Sequence, residues 1–257
     1  MAKIVARQST LDEVEFFRDM YRLEMRCQII HDSIHRRSGW TQEYLLLMDS
    51  IPIGYGSLAV GGPWATAVSI FEFYLTPPAR TKIFESFDVL VLACGAKRIE
   101  TQSNDRLLTN MLLTFCNEIR SEAILFHDVF TTQNSLPGVT FREKQESDSS
   151  QIAIHELDDE ANWVLEYQGG VVAAGDILYH YNRPYGDIYM KVGQPFRQLG
   201  FGSFLVQELK RVCYARGSIP AARCNVNNEA SRATLQKAGF VPCGHIFYGL
   251  VQNQAKA

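Results

Sequence analysis

The stretch from Asp187 to Arg216 constrains this chain most, because its hydrophobic period changes once and sharply. In DIYMKV, Ile188, Met190 and Val192 alternate with their neighbours, which is the period of a half-buried strand. From Phe201 the period becomes helical. Phe204, Leu205, Leu209, Val212 and Cys213 recur at three- and four-residue steps, while Gln207, Glu208, Lys210 and Arg211 take the other face. Gly217 then supplies a helix stop. Strand must pass into helix within GQPFRQLGFGS, where Gly200 and Gly202 stand one residue apart. Glycine there admits positive φ and removes side chains that would hold a ligand off the backbone. The first turn of a helix has N–H groups without partners, and its dipole adds positive charge. Such a turn suits phosphate oxygens, although a tight strand-to-helix turn with no ligand has the same local signature. The dinucleotide and P-loop fingerprints do not fit: no third glycine stands in register, and no Gly-Lys-Ser/Thr is present.

Arg197-Gln-Leu-Gly200-Phe-Gly202 is similar to the R/Q-x-x-G-x-G/A signature of the GNAT superfamily of acyl-CoA-dependent N-acyltransferases. Upstream, Val192-Gly-Gln-Pro195 resembles that family's V-x-x-P strand exit. Downstream, Asn228-Glu-Ala-Ser231 and Lys237-Ala-Gly239-Phe240 resemble its N-x-x-A/S…K-x-G-F helix. The resemblance covers residues 160–250. It implies transfer of an acyl group, usually acetyl, from acetyl-CoA to a primary amine, with CoA as a group carrier whose thioester the protein must aim. It also implies where CoA is held. The signature segment Arg197, Leu199, Gly200, Phe201, Gly202 and Ser203 would take the pyrophosphate, chiefly by backbone amides. The backbone of Met190 and Val192 would pair with the pantetheine amides as an added strand does. Asn228, with Ser231, would meet the pantetheine arm; Asn228 is equally suited to cap its helix, and the two roles are compatible.

An amine near neutral pH is mostly an ammonium, so a group must take its proton before attack. Asp187, near the start of the central strand, stands where many members of that family carry an acidic base; a solvated strand-end carboxylate is the alternative. Glu166 is a second candidate. Many members place a tyrosine seven residues after the helix asparagine, close to the leaving thiolate, and here that position is Leu235. Tyr189, Cys224 and Tyr248 are the other groups able to give a proton. Two readings therefore stay open: a working N-acetyltransferase, or a CoA-binding sensor or scaffold that does no chemistry.

Composition narrows the partners. A net charge of −3 over 257 residues leaves no electrostatic footprint for nucleic acid or an anionic membrane. No apolar run approaches the roughly 20 residues that span a bilayer. MAKIVARQST runs at once into charged residues, unlike a signal peptide, and the six cysteines are scattered without C-x-x-C. The expectation is a cytoplasmic protein with reduced thiols, acting on a small-molecule or peptide amine. His31 and His35 stand at i, i+4 but have no third ligand in view, so no metal is expected.

The chain also resembles itself. Subtracting 117 lays Val192 on Leu75, Pro195 on Pro78, Arg197 on Arg80 and Phe204 on Phe87; subtracting 119 lays Gly175 on Gly56, and 124 lays Asn228 on Asn104. Gly200 then falls on Ile83 and Gly202 on Glu85, a β-branched side chain and a carboxylate where phosphate would lie. The expected fold is α+β, in an α/β-like three-layer arrangement, with two tandem GNAT-type units. Each would have a mixed, mostly antiparallel sheet flanked by helices. Residues 1–145 would form the degenerate copy without a cofactor site, and 146–257 the copy that binds acyl-CoA. The polar run EKQESDSSQ, 143–151, reads as the linker. Thr10-Leu-Asp-Glu13 reads as a capping box, and 26–37 as a second helix. Residues 123–131 and 138–143 read as a closing strand pair, 152–156 as a short strand, and Gly169-Gly170 as a hairpin turn.

Overall fold

The computed structural model describes residues 2–29 and 32–252. In chain order the elements are β1 (Ile4–Ser9), α1 (Leu11–Met25), α2 (Asp32–His35), β2 (Thr41–Met48), β3 (Ile51–Ala59), β4 (Ser69–Leu75), α3 (Ile83–Cys94), β5 (Arg98–Gln102), α4 (Arg106–Phe115) and β6 (Cys116–Asp128). They continue with β7 (Val139–Glu143), α5 (Ser149–Ile154), β8 (Trp163–Tyr167), β9 (Gly170–Leu178), β10 (Tyr185–Val192), α6 (Phe201–Ala215), β11 (Ile219–Asn225), α7 (Glu229–Lys237) and β12 (Phe240–Val251). Two compact units result. The first takes the residues up to Glu122 together with those from Gly244 on; the second is continuous, Ala123–Cys243.

The first unit has a mixed sheet in the order β1-β2-β3-β4-β5-β12, antiparallel except where β4 meets β5. Neighbouring residues of β4 face opposite ways, as a strand requires. Phe73 meets Phe87 of α3 with ring centroids 4.9 Å apart, and Tyr74 meets Tyr21 of α1 at 6.4 Å. The sheet is thus the middle of three layers. At the start of α1 the capping box forms as read: Thr10 Oγ1 accepts from the Glu13 amide at 3.4 Å, and Glu13 accepts from the Thr10 amide at 3.3 Å. The helix expected over 26–37 is helical only at Asp32–His35 among the described residues, because Arg26 takes a left-handed φ of 50° that ends α1. His31 lies outside the described residues.

The second unit repeats this plan, with sheet order β7-β8-β9-β10-β11-β6. Ala173 and Ala174 of β9 point into different cores. The first joins Leu205, Leu209 and Cys213 of α6; the second joins Ile152 of α5 with Leu157 and Ala161. The hairpin between β8 and β9 turns at Gln168 (φ 52°) and Gly169 (φ 76°), one residue earlier than the sequence suggests; two positive φ values in succession suit a two-residue turn.

Four further readings change. The division at 145/146 gives way to 122/123 and 243/244. Ala123–His127 pairs with β11, while Ile246–Leu250 pairs with β5. The expected closing pair does not form, since 123–127 pairs with β11 and β7 with β8. The expected linker is ordered: Arg142 donates to both carboxylate oxygens of Asp148 at 2.8 and 2.9 Å, and α5, a helix rather than a strand, buries Ile152. Polar composition marked a loop there, but a part-buried ion pair and one buried apolar residue order it.

The internal likeness has a geometric counterpart. Arg197 Nε donates to the Val192 carbonyl at 3.3 Å, and Arg80 Nε donates to the Leu75 carbonyl at 3.0 Å, so both partners keep the offset of 117. Gly175 pairs with Met190 as Gly56 pairs with Phe73. The offset of 124 is corrected to 123, because the residues capping α7 and α4 are Asn228 and Asp105.

Candidate functional site

The site of the second unit starts from a divergence of strands. β10 and β11 pair in parallel through Tyr185–Ile219, Gly186–Pro220 and Asp187–Ala221 and then part, while β10 stays on β9 as far as Val192. Gly193 donates its N–H to the Val172 carbonyl, toward β9, so by alternation the peptide groups of Val192 and Met190 point to the open edge. Past Val192 the chain makes one 3-10 turn, Gln194–Phe196. It then places Gln198 (φ 64°) and Gly200 (φ 91°) in left-handed conformations before α6 begins at Phe201. The N–H groups of the first helical turn are left facing outward, since the first intrahelical acceptor, the Gly200 carbonyl, serves Phe204.

The two glycines serve different ends. A Cβ on Gly200 would meet nothing closer than 3.6 Å, so glycine is needed there for its φ. A Cβ on Gly202 would come within 3.1 Å of Thr234 Cγ2 and 3.4 Å of Met190 Cε, so glycine is needed there for space. Between this turn and α7 lies a cleft of about 760 Å³. Met190, Val192, Arg197, Gly200, Gly202, Ser203, Asn228 and Ser231, all read from the sequence, line it. Leu199 and Phe201 are not among its walls. Leu199 is exposed, and the Phe201 ring is buried against Tyr167. Asn228 Oδ1 caps α7 by accepting from the Ser231 amide at 3.0 Å. The sequence reading missed Thr234 and Lys237, which also line the cleft. The signal was the three-residue spacing of 228, 231, 234 and 237, one face of a helix.

At the vertex sits Asp187, 5% exposed. Its Oδ2 lies 3.3 Å from Arg223 Nε, and its Oδ1 has no hydrogen-bond partner. Burial pushes the carboxyl up to about 6, with Arg223 pulling the other way. Tyr189, two residues on and on the same face, is raised by burial and by Asp158, Asp176 and Glu160. Glu166 is tied to Arg142 Nε at 2.8 Å. Cys224 is buried, which raises its thiol; Arg232 and the Ser231 hydroxyl act the other way. Tyr248 belongs to the first unit, opposite Glu100 of β5 and under the Arg98 guanidinium at 4.2 Å. Leu235 is a core residue, 4% exposed.

The first unit has the same strand divergence, but its opening is filled. Pairing of β4 with β5 stops at Ile70–Ile99, but the Gln102 side chain then takes both backbone groups of Ile29, accepting from its N–H at 3.2 Å and donating to its carbonyl. The pocket left beside them measures about 20 Å³, room for about one water. The turn before α3 is a 3-10 helix, Pro77–Lys82. It ties the Ile83 N–H to the Arg80 carbonyl and contains no left-handed residue. Glu85 pairs with Lys82 at 2.9 Å. Among the described residues no group of three or more His, Cys, Asp or Glu could hold a metal ion, and no helix is long and apolar enough to cross a membrane.

Comparison with known proteins agrees with this geometry. Residues 126–240 match the Acetyltransferase (GNAT) family, and this part of the chain is a domain of that family, which transfers acyl groups from acyl-CoA. Among solved structures, an acetyltransferase of the GNAT family from Colwellia psychrerythraea is similar over 97% of this chain and 100% of its own, with a TM-score of 0.74 at 14% identity. A GCN5-related N-acetyltransferase from Sphaerobacter thermophilus covers 97% and 96%, with a TM-score of 0.61 at 12% identity. A tandem GNAT protein from the clavulanic acid biosynthesis pathway, solved without AcCoA, covers 99% and 100%, with a TM-score of 0.62 at 11% identity. At such identities the likeness is one of fold. No curated protein matches the chain.

Proposed function

We propose that the protein is an N-acetyltransferase that uses acetyl-CoA at a single site, in the Ala123–Cys243 unit, to acylate a primary amine. One observation carries this reading: β10 and β11 part at Asp187, and the cleft on one side of the parting ends at an unencumbered helix N-terminus. The amides of residues 199–203 would hold the pyrophosphate, with the Lys237 ammonium beside them, 3.9 Å from the position of a Cβ on Gly200. The Met190 and Val192 peptide groups would pair with the pantetheine arm; the Val192 carbonyl is shared with Arg197.

When bound, the donor supplies an acyl carbon activated as a thioester: the amine nitrogen bonds to that carbon, the carbon–sulfur bond breaks, and the thiol leaves with a proton. The protein's part is to place the amine and manage its protons. Asp187 Oδ1, buried and unpaired, accepts a proton from the incoming ammonium. With its carboxyl pushed up to about 6, it is mostly ionised at pH 7 and still basic enough to act. Leu235 offers no proton, so the departing sulfur takes one from another group or from water. That same leucine favours the second reading, a CoA-binding protein without turnover.

Turnover of acetyl-CoA with a panel of amines separates the two. The carboxylate works ionised, so kcat/KM should rise with pH through about 6 in the native protein. In Asp187→Asn that limb should vanish and turnover fall by about 10²- to 10⁴-fold, with acetyl-CoA affinity unchanged. Undiminished turnover in the variant would assign the base elsewhere, and none in the native protein would favour the scaffold.

A further inference from the structure

We propose that the acceptor carries an anionic group, carboxylate or phosphate, a few bonds from its amine, and that Arg223 binds that group. This rests on the acyl-transfer reading above and names the class of acceptor for the same site. Arg223 lies on β11 two residues beyond Ala221, the last residue paired with β10, and therefore on the diverging part of the strand. The alternation that places residues 187 and 189 on one face of β10 places 221 and 223 on the same face of β11. Asp187 thus stands at the vertex, with Tyr189 on one arm of the opening and Arg223 on the other.

The Arg223 guanidinium is held but not used up. Nε faces Asp187 Oδ2 at 3.3 Å, Nη2 donates to the Tyr181 hydroxyl, and the Tyr181 ring centroid lies 4.7 Å from the guanidinium carbon. A guanidinium has five N–H donors, and among the described residues these are its only pairings. Its side chain stays 30% exposed. The structural arginine of the first unit differs. Arg18 is 4% exposed, meets Glu72 through two nitrogens and also reaches Asp32. Arg142 is likewise shared between Asp148 and Glu166. Arg223 instead meets one edge of one carboxylate and stays part-exposed on the face of the sheet that carries Asp187, with donors left over that suit a carboxylate or phosphate.

The other arm excludes an anion. The Tyr189 hydroxyl lies in the negative field of Asp158, Asp176 and Glu160. An acceptor with charges of both signs has one favourable orientation here: ammonium at Asp187 Oδ1, anion at Arg223. A plain amine would bring nothing to the donors that Asp187 and Tyr181 leave unused.

The test compares matched acceptors with acetyl-CoA: amino acids against the amines left by their decarboxylation, and O-phosphoethanolamine against ethanolamine. The native protein should favour the anionic member of at least one pair by about 10- to 100-fold in kcat/KM, mostly through KM. Arg223→Gln should abolish that preference, bringing the two members of each pair to the same kcat/KM whatever the change in Asp187 does to both, while affinity for acetyl-CoA changes little. Arg223→Lys should retain part of it. An arginine that only neutralises Asp187 would shift the pH profile for both members alike and leave their ratio unchanged. Equal rates within every pair in the native protein, or a preference that survives in Arg223→Gln, would overturn the proposal and leave acyl transfer standing. No turnover with any amine would overturn the acyl-transfer reading itself.

Discussion

Gly200 and Gly202 are alike in the sequence and unlike in what replacing them should cost. Alanine at Gly200 has room but must adopt a φ of 91°, a strain of about 1–3 kcal/mol. Alanine at Gly202 has an ordinary φ but presses on Thr234 at 3.1 Å, and glutamate there adds a carboxylate where phosphate would lie. We expect Gly200→Ala to lower Tm by several degrees. Gly202→Ala should keep Tm and weaken acetyl-CoA, and Gly202→Glu should weaken it at least about 100-fold. Calorimetric titration beside thermal melts checks this. Tight binding in Gly202→Glu, or a second site per chain, would contradict a single site in the second unit. Both glycines were legible because their chemistry is local: a backbone angle and a missing Cβ. The partner of Asp187 was not. Arg223 lies far along the chain, and only the register of β10 against β11 brings the two together. Leu199 and Phe201 entered the sequence reading through their backbone amides, and their side chains do not line the cleft.

Elements were legible where their pattern was their own and illegible where pairing decided them. The Thr10 capping box, β10 and α6 all follow from local period and caps. The partners of β6 and β12 depend on contacts far away in sequence, and α5 folds on an ion pair that composition disguises. The polar network over β2, β3 and β4 in the first unit was equally hidden. Buried His35 lies between Glu43 Oε1 at 2.9 Å and Glu72 Oε1 at 3.2 Å; Glu72 also takes Arg18 and Tyr55, Glu43 takes Ser57, and Asp32 stands beyond Arg18. Burial disfavours the charged imidazole, but the two glutamates outweigh it and raise its pKa. A raised histidine stabilises the fold below its unfolded pKa, near 6.5, and that contribution is lost as pH rises through the folded value. Glu72, lowered by Arg18 and His35 against its own burial, contributes above its unfolded pKa and loses that contribution in acid. His35→Gln should therefore cost about 3–5 kcal/mol near pH 6 and clearly less at pH 9. Denaturant titrations at the two pH values check it; a cost independent of pH would mean that the imidazole is buried neutral.

At the scale of the whole chain, order in sequence and membership of a unit differ, and this decides which fragment can stand alone. Two tandem copies suggest one cut near residue 145. Each sheet nevertheless takes its sixth strand from elsewhere: the first unit from the end of the chain, and the second from residues just before its own first strand. A fragment 146–257 would therefore lack Ala123–His127, the antiparallel partner of β11, and would carry a β12 whose partner β5 is absent. Ile124, Leu125 and Phe126 are each less than 10% exposed. Burial of one such side chain contributes about 1.5–3 kcal/mol, so losing three removes about 5–9 kcal/mol. That is comparable with the whole stability of a domain, about 5–15 kcal/mol, and the bare edge of β11 adds a route to aggregation. The fragment 123–243 keeps the Ala123–His127 part of β6 that pairs with β11, β11 itself and every residue lining the cleft. We expect 123–243 to fold and bind acetyl-CoA within about tenfold of the full chain, and 146–257 to be insoluble or to bind nothing. Circular dichroism and calorimetry on the two fragments decide between the boundaries. A soluble 146–257 with native affinity would restore the division that the sequence suggests.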